Sequence, residues 1–278
     1  MIQRATKADL PAIQAFLHRT PHQAMFPLAN LLNHPFEGDH KHSMSFWFRR
    51  DKQGITDVLG ISRGGMVMPK CPTGPIVEPL ADRALTGMIG PYDDCMALRV
   101  AAGMTDVPCT LDRAEPHFDL DLVDLIIPDT TATAIPFAQA PKELMMAWQV
   151  DYDVETLGAT PEAAKARADE VYDIHVASGS HIVLEKDGEY LSKAGLNAQL
   201  PNIVQVGGVY TPPEHRSNGY ARQITALLLE QARARGVEKA TLFTSGEIAA
   251  KAYEAIGFKR LPSEWALILF DGEQRATL

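Results

Sequence analysis

Cysteine is scarce in this 278-residue chain, which has only Cys71, Cys95 and Cys109. None stands in CxxC spacing, so the set excludes a disulfide framework and a cysteine-built zinc site. An odd, sparse set fits reduced thiols in a cytoplasmic protein. Positive charge is also in short supply: 26 Lys and Arg stand against 35 Asp and Glu, a net charge of −9. That balance argues against nonspecific binding to nucleic acid or to an anionic membrane. Long apolar runs are missing, and none approaches the roughly 20 residues that span a bilayer. The opening MIQRATKADLPAIQAFL carries charges throughout an amphipathic helix pattern. It reads as part of the fold and not as a signal peptide.

The hydrophobic content of 46% is ordinary for a globular protein, and the length suits two domains. A first strand–turn–helix unit is expected at Ile2 and Arg4, then a helix over 9–17 opened by a Thr6/Asp9 capping box. Leu10, Ala12, Ile13, Phe16 and Leu17 supply its apolar face. Residues 33–54, polar and rich in His, read as containing a loop. Strand material is expected over 54–68, broken at Gly64-Gly65, and irregular chain over 68–79, which holds four prolines. A strand over 85–89, a helix over 93–102 and a strand over 119–127 follow. Residues 128–131 form the expected boundary, giving domains 1–128 and 129–278.

A second strand–turn–helix opening echoes the first at Ile135-Pro136-Phe137-Ala138 and 142–150. Thr160 as N-cap and Pro161 at the first helical position predict a helix to Ser178. The turn Lys186-Asp187-Gly188 between two β-rich runs predicts a hairpin. Ile203–Tyr210 is a further strand, with Gly207-Gly208 marking a bulge, a bend or close approach by a ligand. Thr211-Pro212-Pro213 ends it, and a helix opens after Glu214-His215-Arg216-Ser217-Asn218-Gly219-Tyr220-Ala221. Ala221, Ile224, Leu227, Leu228 and Gln231 are its expected core face, and Gly236 its C′ residue. A strand, a glycine loop and a helix N-terminus make an anion site, because the first turn leaves N–H groups unpaired. Gly219 admits close backbone approach. Arg216 and Arg222 add charged donors.

These residues resemble the GNAT superfamily of acyl-CoA N-acyltransferases. The family's donor loop, Arg/Gln-x-x-Gly-x-Gly/Ala, stands complete as Arg216 to Ala221. A helix, a strand over 237–244 and the family's Tyr-x-x-x-Gly-Phe follow in order, the last as Tyr253 to Phe258. The resemblance implies an α/β fold with a mixed, mostly antiparallel sheet flanked by helices. It implies acetyl-CoA as co-substrate, no metal, and a small amine or amino-acid-like acceptor. Backbone groups of Val209, Tyr210 and Thr211 would pair with the pantetheine arm. The N–H groups of Arg216, Ser217, Asn218, Gly219, Tyr220 and Ala221 would hold the pyrophosphate. A splay near Gly207-Gly208 would leave room for the thioester between neighbouring strands. The implied reaction is direct attack of a primary amine on the thioester, with an oxyanion donor near Val209.

Tyr253 reads as the sulfur's proton donor, against the alternative of a plain core residue. Glu155 is one option for a base, although a solvated turn carboxylate is the preferred reading. Glu214 is expected to face solvent, and His215 either approaches an anion or is an ordinary loop residue. Many family members carry an Asn after the strand over 237–244; this chain lacks it, and Ser245 is a partial substitute. Two alternatives follow: a non-catalytic acyl-CoA-binding module, or transfer of a longer acyl chain.

The first residues resemble the start of a GNAT domain too, and Gly87 to Pro91 echoes a donor strand. No donor loop follows. The expectation is a second, N-terminal GNAT-like domain that has lost donor binding, with an unrelated cap domain as the alternative. His34, His40 and His42 have no acid or cysteine set beside them and read as a solvated or substrate-facing loop. Phe46, Trp47 and Phe48 read as packing residues.

Overall fold

The computed structural model describes residues 1–244 and 246–277. Its elements begin with β1 (Ile2–Arg4), α1 (Leu10–Leu17), α2 (Met25–Asn33), β2 (Met44–Asp51), β3 (Gly54–Ser62), β4 (Met66–Lys70), β5 (Leu85–Pro91), α3 (Tyr92–Ala101) and β6 (Cys109–Asp121). They continue with β7 (Thr133–Pro136), α4 (Lys142–Leu157), α5 (Pro161–Ser178), β8 (His181–Lys186), β9 (Glu189–Gln199), β10 (Ile203–Tyr210), α6 (Tyr220–Ala234), β11 (Lys239–Phe243), α7 (Glu247–Glu254) and β12 (Lys259–Gln274). Two compact units result, Met1–His117 with Leu261–Leu278, and Phe118–Arg260. The sequence places the division at 128/129. In the structure the last residues join the first unit because β12 pairs antiparallel with β5, Trp265 opposite Pro91 and Ile268 opposite Met88.

The two units repeat one topology. In the first, β1, β2, β3 and β4 are antiparallel neighbours, and β4 pairs parallel with β5. In the second, β7, β8, β9 and β10 are antiparallel neighbours, and β10 pairs parallel with β11. Each has two helices after its first strand and one after its parallel strand. The second unit adds α6 between β10 and β11. The first has only a 3-10 turn, Glu78–Leu80, between β4 and β5. Gly87 to Pro91 therefore corresponds to β11, not to the donor strand the sequence suggested.

Several local expectations need correction. Residues 33–54 do contain a loop, over 34–43, but 44–51 form a strand that the sequence did not separate from it; Met44, Phe46 and Phe48 alternate inward and are buried. The strand expected over 119–127 starts at Cys109 and gives way to a 3-10 turn at Leu122. Its polar residues hid it: Glu115 and His117 are buried, as are the apolar Leu111, Phe118 and Leu120. The core face of α6 is Ile224, Thr225, Leu228, Leu229 and Ala232, while Gln231 is exposed. Other devices appear as read. The Thr6/Asp9 capping box is formed, and the Thr160 hydroxyl accepts from Ala163 N, a cap worth about 1 kcal/mol. Asp187 and Gly188, both at positive φ, close the β8–β9 hairpin.

In the second unit α6 and α7 cover one sheet face over a core including Leu196, Val204, Val206, Ile224, Leu228 and Tyr253. Met145 and Trp148 of α4 cover the other face, against Val183 and Tyr210. The Tyr-x-x-x-Gly-Phe turn locks onto the first core. Gly257 has φ +106°, and a Cβ there would lie 2.7 Å from the Asp124 carbonyl oxygen. Gly257→Ala is therefore expected to cost about 1–3 kcal/mol. Urea unfolding checks this; an unchanged midpoint would show that the neighbouring turn yields freely.

Candidate functional site

β10 parts from its neighbour β11. β10 pairs with β11 over only three positions, Ile203 with Lys239, Val204 with Ala240 and Gln205 with Thr241. From Val206 onward β10 continues without β11, and its register with β9 shifts at Gln205/Val206 and again between Gly207 and Tyr210. An extended ligand can add to such an edge by main-chain hydrogen bonds. Val209 and Tyr210 lie on this stretch. The Tyr210 carbonyl accepts from Ser192 Oγ at 2.9 Å, and that of Thr211 from Arg216 Nε at 2.9 Å.

The loop after the strand is shaped by two residues in the left-handed region, Ser217 (φ +66°) and Gly219 (φ +76°), with Gly219 the N-cap of α6. Among the described residues none of the N–H groups of 217–221 is spent inside the protein. They stand where the helix dipole favours an anion. Asn218 is turned inward, its amide donating to the His215 and Arg216 carbonyls. Arg222 lies over the loop, its Nη2 3.2 Å from the site of a Gly219 Cβ, and its Nε is buried without a partner. Arg222 is thus the charged donor left free for the loop. The Arg216 N–H, expected to face the phosphates, donates instead to the Pro213 carbonyl at 3.3 Å, and its guanidinium pairs with Glu155 at 2.7 Å. Glu155 ties α4 to the loop through this bond. Glu214 is exposed as expected, His215 Nε2 lies 3.7 Å from Glu189, and Ser245 lies outside the described residues.

Tyr253 is buried on α7 with its ring edge-on to Phe258 at 6.1 Å. Tyr210 donates to Asp151 at 3.4 Å, and its phenol is pushed up to about 12, by burial first and then by Asp151 and Glu155.

The α4-covered face holds polar residues that sequence reading passed over. Lys193 is fully buried, donating to Gln149 Oε1 at 2.5 Å, and Gln149 donates to Asp153 at 2.8 Å. Burial lowers the Lys193 ammonium to about 7, against the opposing pull of Asp153. Burial likewise raises the Asp153 carboxyl, opposed by Arg167. His181 on β8 stacks on His175 of α5 at 3.6 Å between centroids, and lies over Gly195, where any Cβ would overlap its ring. Burial holds His175 down to about 4 and His181 well below the usual imidazole range. The available signal was alternation: Lys193, Gly195 and Asn197 share one side of β9, opposite Ala194, Leu196 and Ala198.

The His34, His40 and His42 rings gather in the first unit, His34 stacked on His40 at 3.9 Å. Burial and neighbouring positive charge lower His42 to about 4. Among the described residues no group of His, Cys, Asp and Glu is placed to hold a metal, and no helix is long and apolar enough to cross a membrane.

Residues 143–258 match the family model described as the acetyltransferase (GNAT) family. This stretch is a GNAT domain. A Drosophila protein of known structure superposes with a TM-score of 0.61 over 96% of this chain and 98% of its own, at 11% identity. A GCN5-related N-acetyltransferase from Kribbella flavida gives 0.52 over 78% of this chain and 87% of its own, at 18% identity. These likenesses concern the fold. A UPF0039 protein of Schizosaccharomyces pombe is 28% identical over 92 residues, 33% of this chain and 61% of that relative's length. The parted β10, the loop and the start of α6 all lie inside the matched GNAT segment.

The Lys193 charge gives a test. In the unfolded chain this amine has a pKa near 10.4. The folded value is about 7, so between these the unfolded state binds the extra proton and stability rises with pH. Below 7 that gain is absent. Lys193→Met is expected to flatten the rise in urea midpoint between pH 7 and 9.5; an identical slope in both proteins would place the amine in water.

Proposed function

We propose that the second unit transfers an acetyl group from acetyl-CoA to a primary amine by direct attack on the thioester. The observation that carries this reading is the unpaired edge of β10 running into the unspent N–H groups of 217–221. An edge and an anion site in series suit one ligand: an amide-bearing arm ending in a pyrophosphate. In this reading the arm adds to β10 near Val209, and the phosphates sit at the start of α6 beneath Arg222.

The chemistry needs three services. A donor must face the oxygen that gains charge, and the Val209 N–H is assigned that role. The leaving thiolate, conjugate to a thiol of pKa about 8.5, must gain a proton, and the Tyr253 phenol is assigned to supply it. The amine must lose a proton. Glu155 is an unsuitable base because Arg216 already engages it. The acceptor is read as a small amine or amino-acid-like molecule. The cysteines are free, Cys71 and Cys95 buried, which supports a reducing compartment such as the cytoplasm.

The first unit is read as a GNAT-like repeat without a donor site. Its shared strand order supports this, as does the missing counterpart of α6. The N-terminus of α3 also carries Asp93 and Asp94, charges that repel phosphate.

Gly219→Glu is expected to abolish CoA binding in a calorimetric titration, since a carboxylate would enter the phosphate loop; unchanged affinity removes the donor assignment. Thiol release from acetyl-CoA with a panel of amines tests turnover, and tight CoA binding with no release from any amine would make the protein a binding module. In that assay Tyr253→Phe should lower kcat about 10-fold or more with little change in KM.

A further inference from the structure

The histidine pair on the α4 and α5 side of the GNAT sheet has a hydrogen-bond pattern that fixes its chemistry. Ser178 Oγ donates to the His175 carbonyl at 3.1 Å. Ser178 Oγ also lies 2.7 Å from Ser180 Oγ, which lies 2.9 Å from His181 Nδ1. Each hydroxyl has one proton. The Ser178 proton is spent on the carbonyl, so Ser180 donates to Ser178. The Ser180 proton is then spent, so Ser180 accepts from His181 Nδ1–H. The reverse order would set Ser178 Oγ against the His175 carbonyl at 3.1 Å with no proton between them, leaving that carbonyl only the Gly179 N–H at 3.2 Å. The first order makes more hydrogen bonds and so favours the tautomer in which Nδ1 carries the hydrogen and Nε2 presents a lone pair.

That lone pair has a defined direction. His181 is 4% exposed, and nothing among the described residues bonds its Nε2. The atom lies 3.1 Å from where a Cβ on Gly208 would stand. Gly208 belongs to the bulge at which β10 shifts register, just past its parting from β11. Gly195 leaves the room beneath the ring, and the Asn197 side chain crowds the adjacent Gly207.

We infer that Nε2 of His181 is the base that takes the proton from the attacking amine. The inference rests on the acyltransfer reading above and supplies the base that reading leaves open. The amine lone pair forms a C–N bond to the thioester carbonyl carbon, and the carbonyl π pair moves to oxygen. The new nitrogen is cationic and passes its proton to Nε2, while Nδ1–H stays with Ser180. The oxygen pair returns, the C–S bond breaks, and sulfur leaves with its electron pair and takes up one proton. Amine and thioester thus become amide and thiol without a further reactant.

The surroundings suit a base that acts after attack and not before it. Burial keeps His181 neutral in neutral solution, with His175 from α5 and Lys193 from β9 acting in the same direction. Its lone pair is not occupied by a solvent proton. A weak base removes a proton readily only from nitrogen made acidic by bonding to the carbonyl. His175 and Ser180 are positioning residues: one stacks the ring, the other holds its Nδ1.

The test has two arms on the full chain. Long-range proton–nitrogen correlation NMR of histidine-labelled protein reads the tautomer directly, and the expected result is Nδ1–H with a bare Nε2. His181→Asn keeps a group for Ser180 but has nothing at the Nε2 position. With acetyl-CoA and the best amine of the panel, it should lose about 100-fold or more in kcat. Its CoA affinity and KM for acetyl-CoA should be unchanged. Ser180→Ala, which leaves the imidazole in place, should shift the tautomer toward Nε2–H and lower kcat severalfold, covering the case in which His181→Asn fails to fold. An Nε2–H tautomer in the wild type, or wild-type kcat in His181→Asn, overturns the inference. A wild type that binds CoA but releases no thiol with any amine removes the acyltransfer reading itself, and is distinguished by the inactive parent protein.

Discussion

The organisation of the GNAT unit depends on one broken ladder. β10 gives up its pairing with β11 after Gln205, and the polar backbone beyond that point has no strand to satisfy it. Unpaired main-chain groups are costly to bury dry, so this edge must stay open to water or receive a ligand that bonds like a strand. The bulge at Gly207 and Gly208 makes the break tolerable. It takes up the register shift on the β9 side, so β10 stays anchored on one edge while the other is released. The loop at 216–221 then turns the same strand directly into a helix start. Strand edge and anion site consequently share one rigid support.

The two faces of this sheet do different work. The α6 face is apolar and continuous, and it fixes the helix whose N-terminus holds the loop. The opposite face mixes Val183, Trp148 and Tyr210 with the buried Lys193–Gln149–Asp153 chain and the His175–His181 pair. Burying a lysine pulls its pKa toward neutrality and burying a carboxylate raises its own, so the network softens its charges instead of forming a strong ion pair. Arg216 and Glu155 connect this face to the loop at 216–221, because Glu155 sits on α4 and Arg216 opens the loop. A change in how α4 packs would therefore reach the loop through that bond.

What could be read from sequence divides along the same line. The turns at 216–221 and 253–258 were legible because backbone conformation selects their residues: Gly219 and Gly257 both sit at positive φ, where a side chain would strain or collide. The hairpin at Asp187-Gly188 and the Thr160 cap were legible for the same local reason. The polar face of β9 was not. Alternation says that Lys193 and Gly195 share a side, but it is the same whether that side meets water or two helices. β2 was hidden by its polar flanks and β6 by the charges along its length. The Arg216–Glu155 pair was not legible either, because loop membership says nothing of where a long side chain finds its partner.

The repeat in the first unit shows which part of the topology the fold needs and which part it can do without. Four antiparallel strands and a fifth parallel one recur with their helices, and a core including Leu59, Ile61, Val67, Met88 and Leu98 closes around them. The one missing element is the helix after the fourth strand. Pro72, Pro75 and Pro79 occupy that position in sequence, and prolines so spaced cannot continue an α-helix. Without the helix there is no row of free N–H groups and no dipole aimed at a phosphate. The sheet itself does not require that helix, since the first unit packs without it. It occurs in the second unit alone, with glycine and serine in left-handed conformations at its start, and the unspent N–H groups there are what the second unit adds to the shared topology.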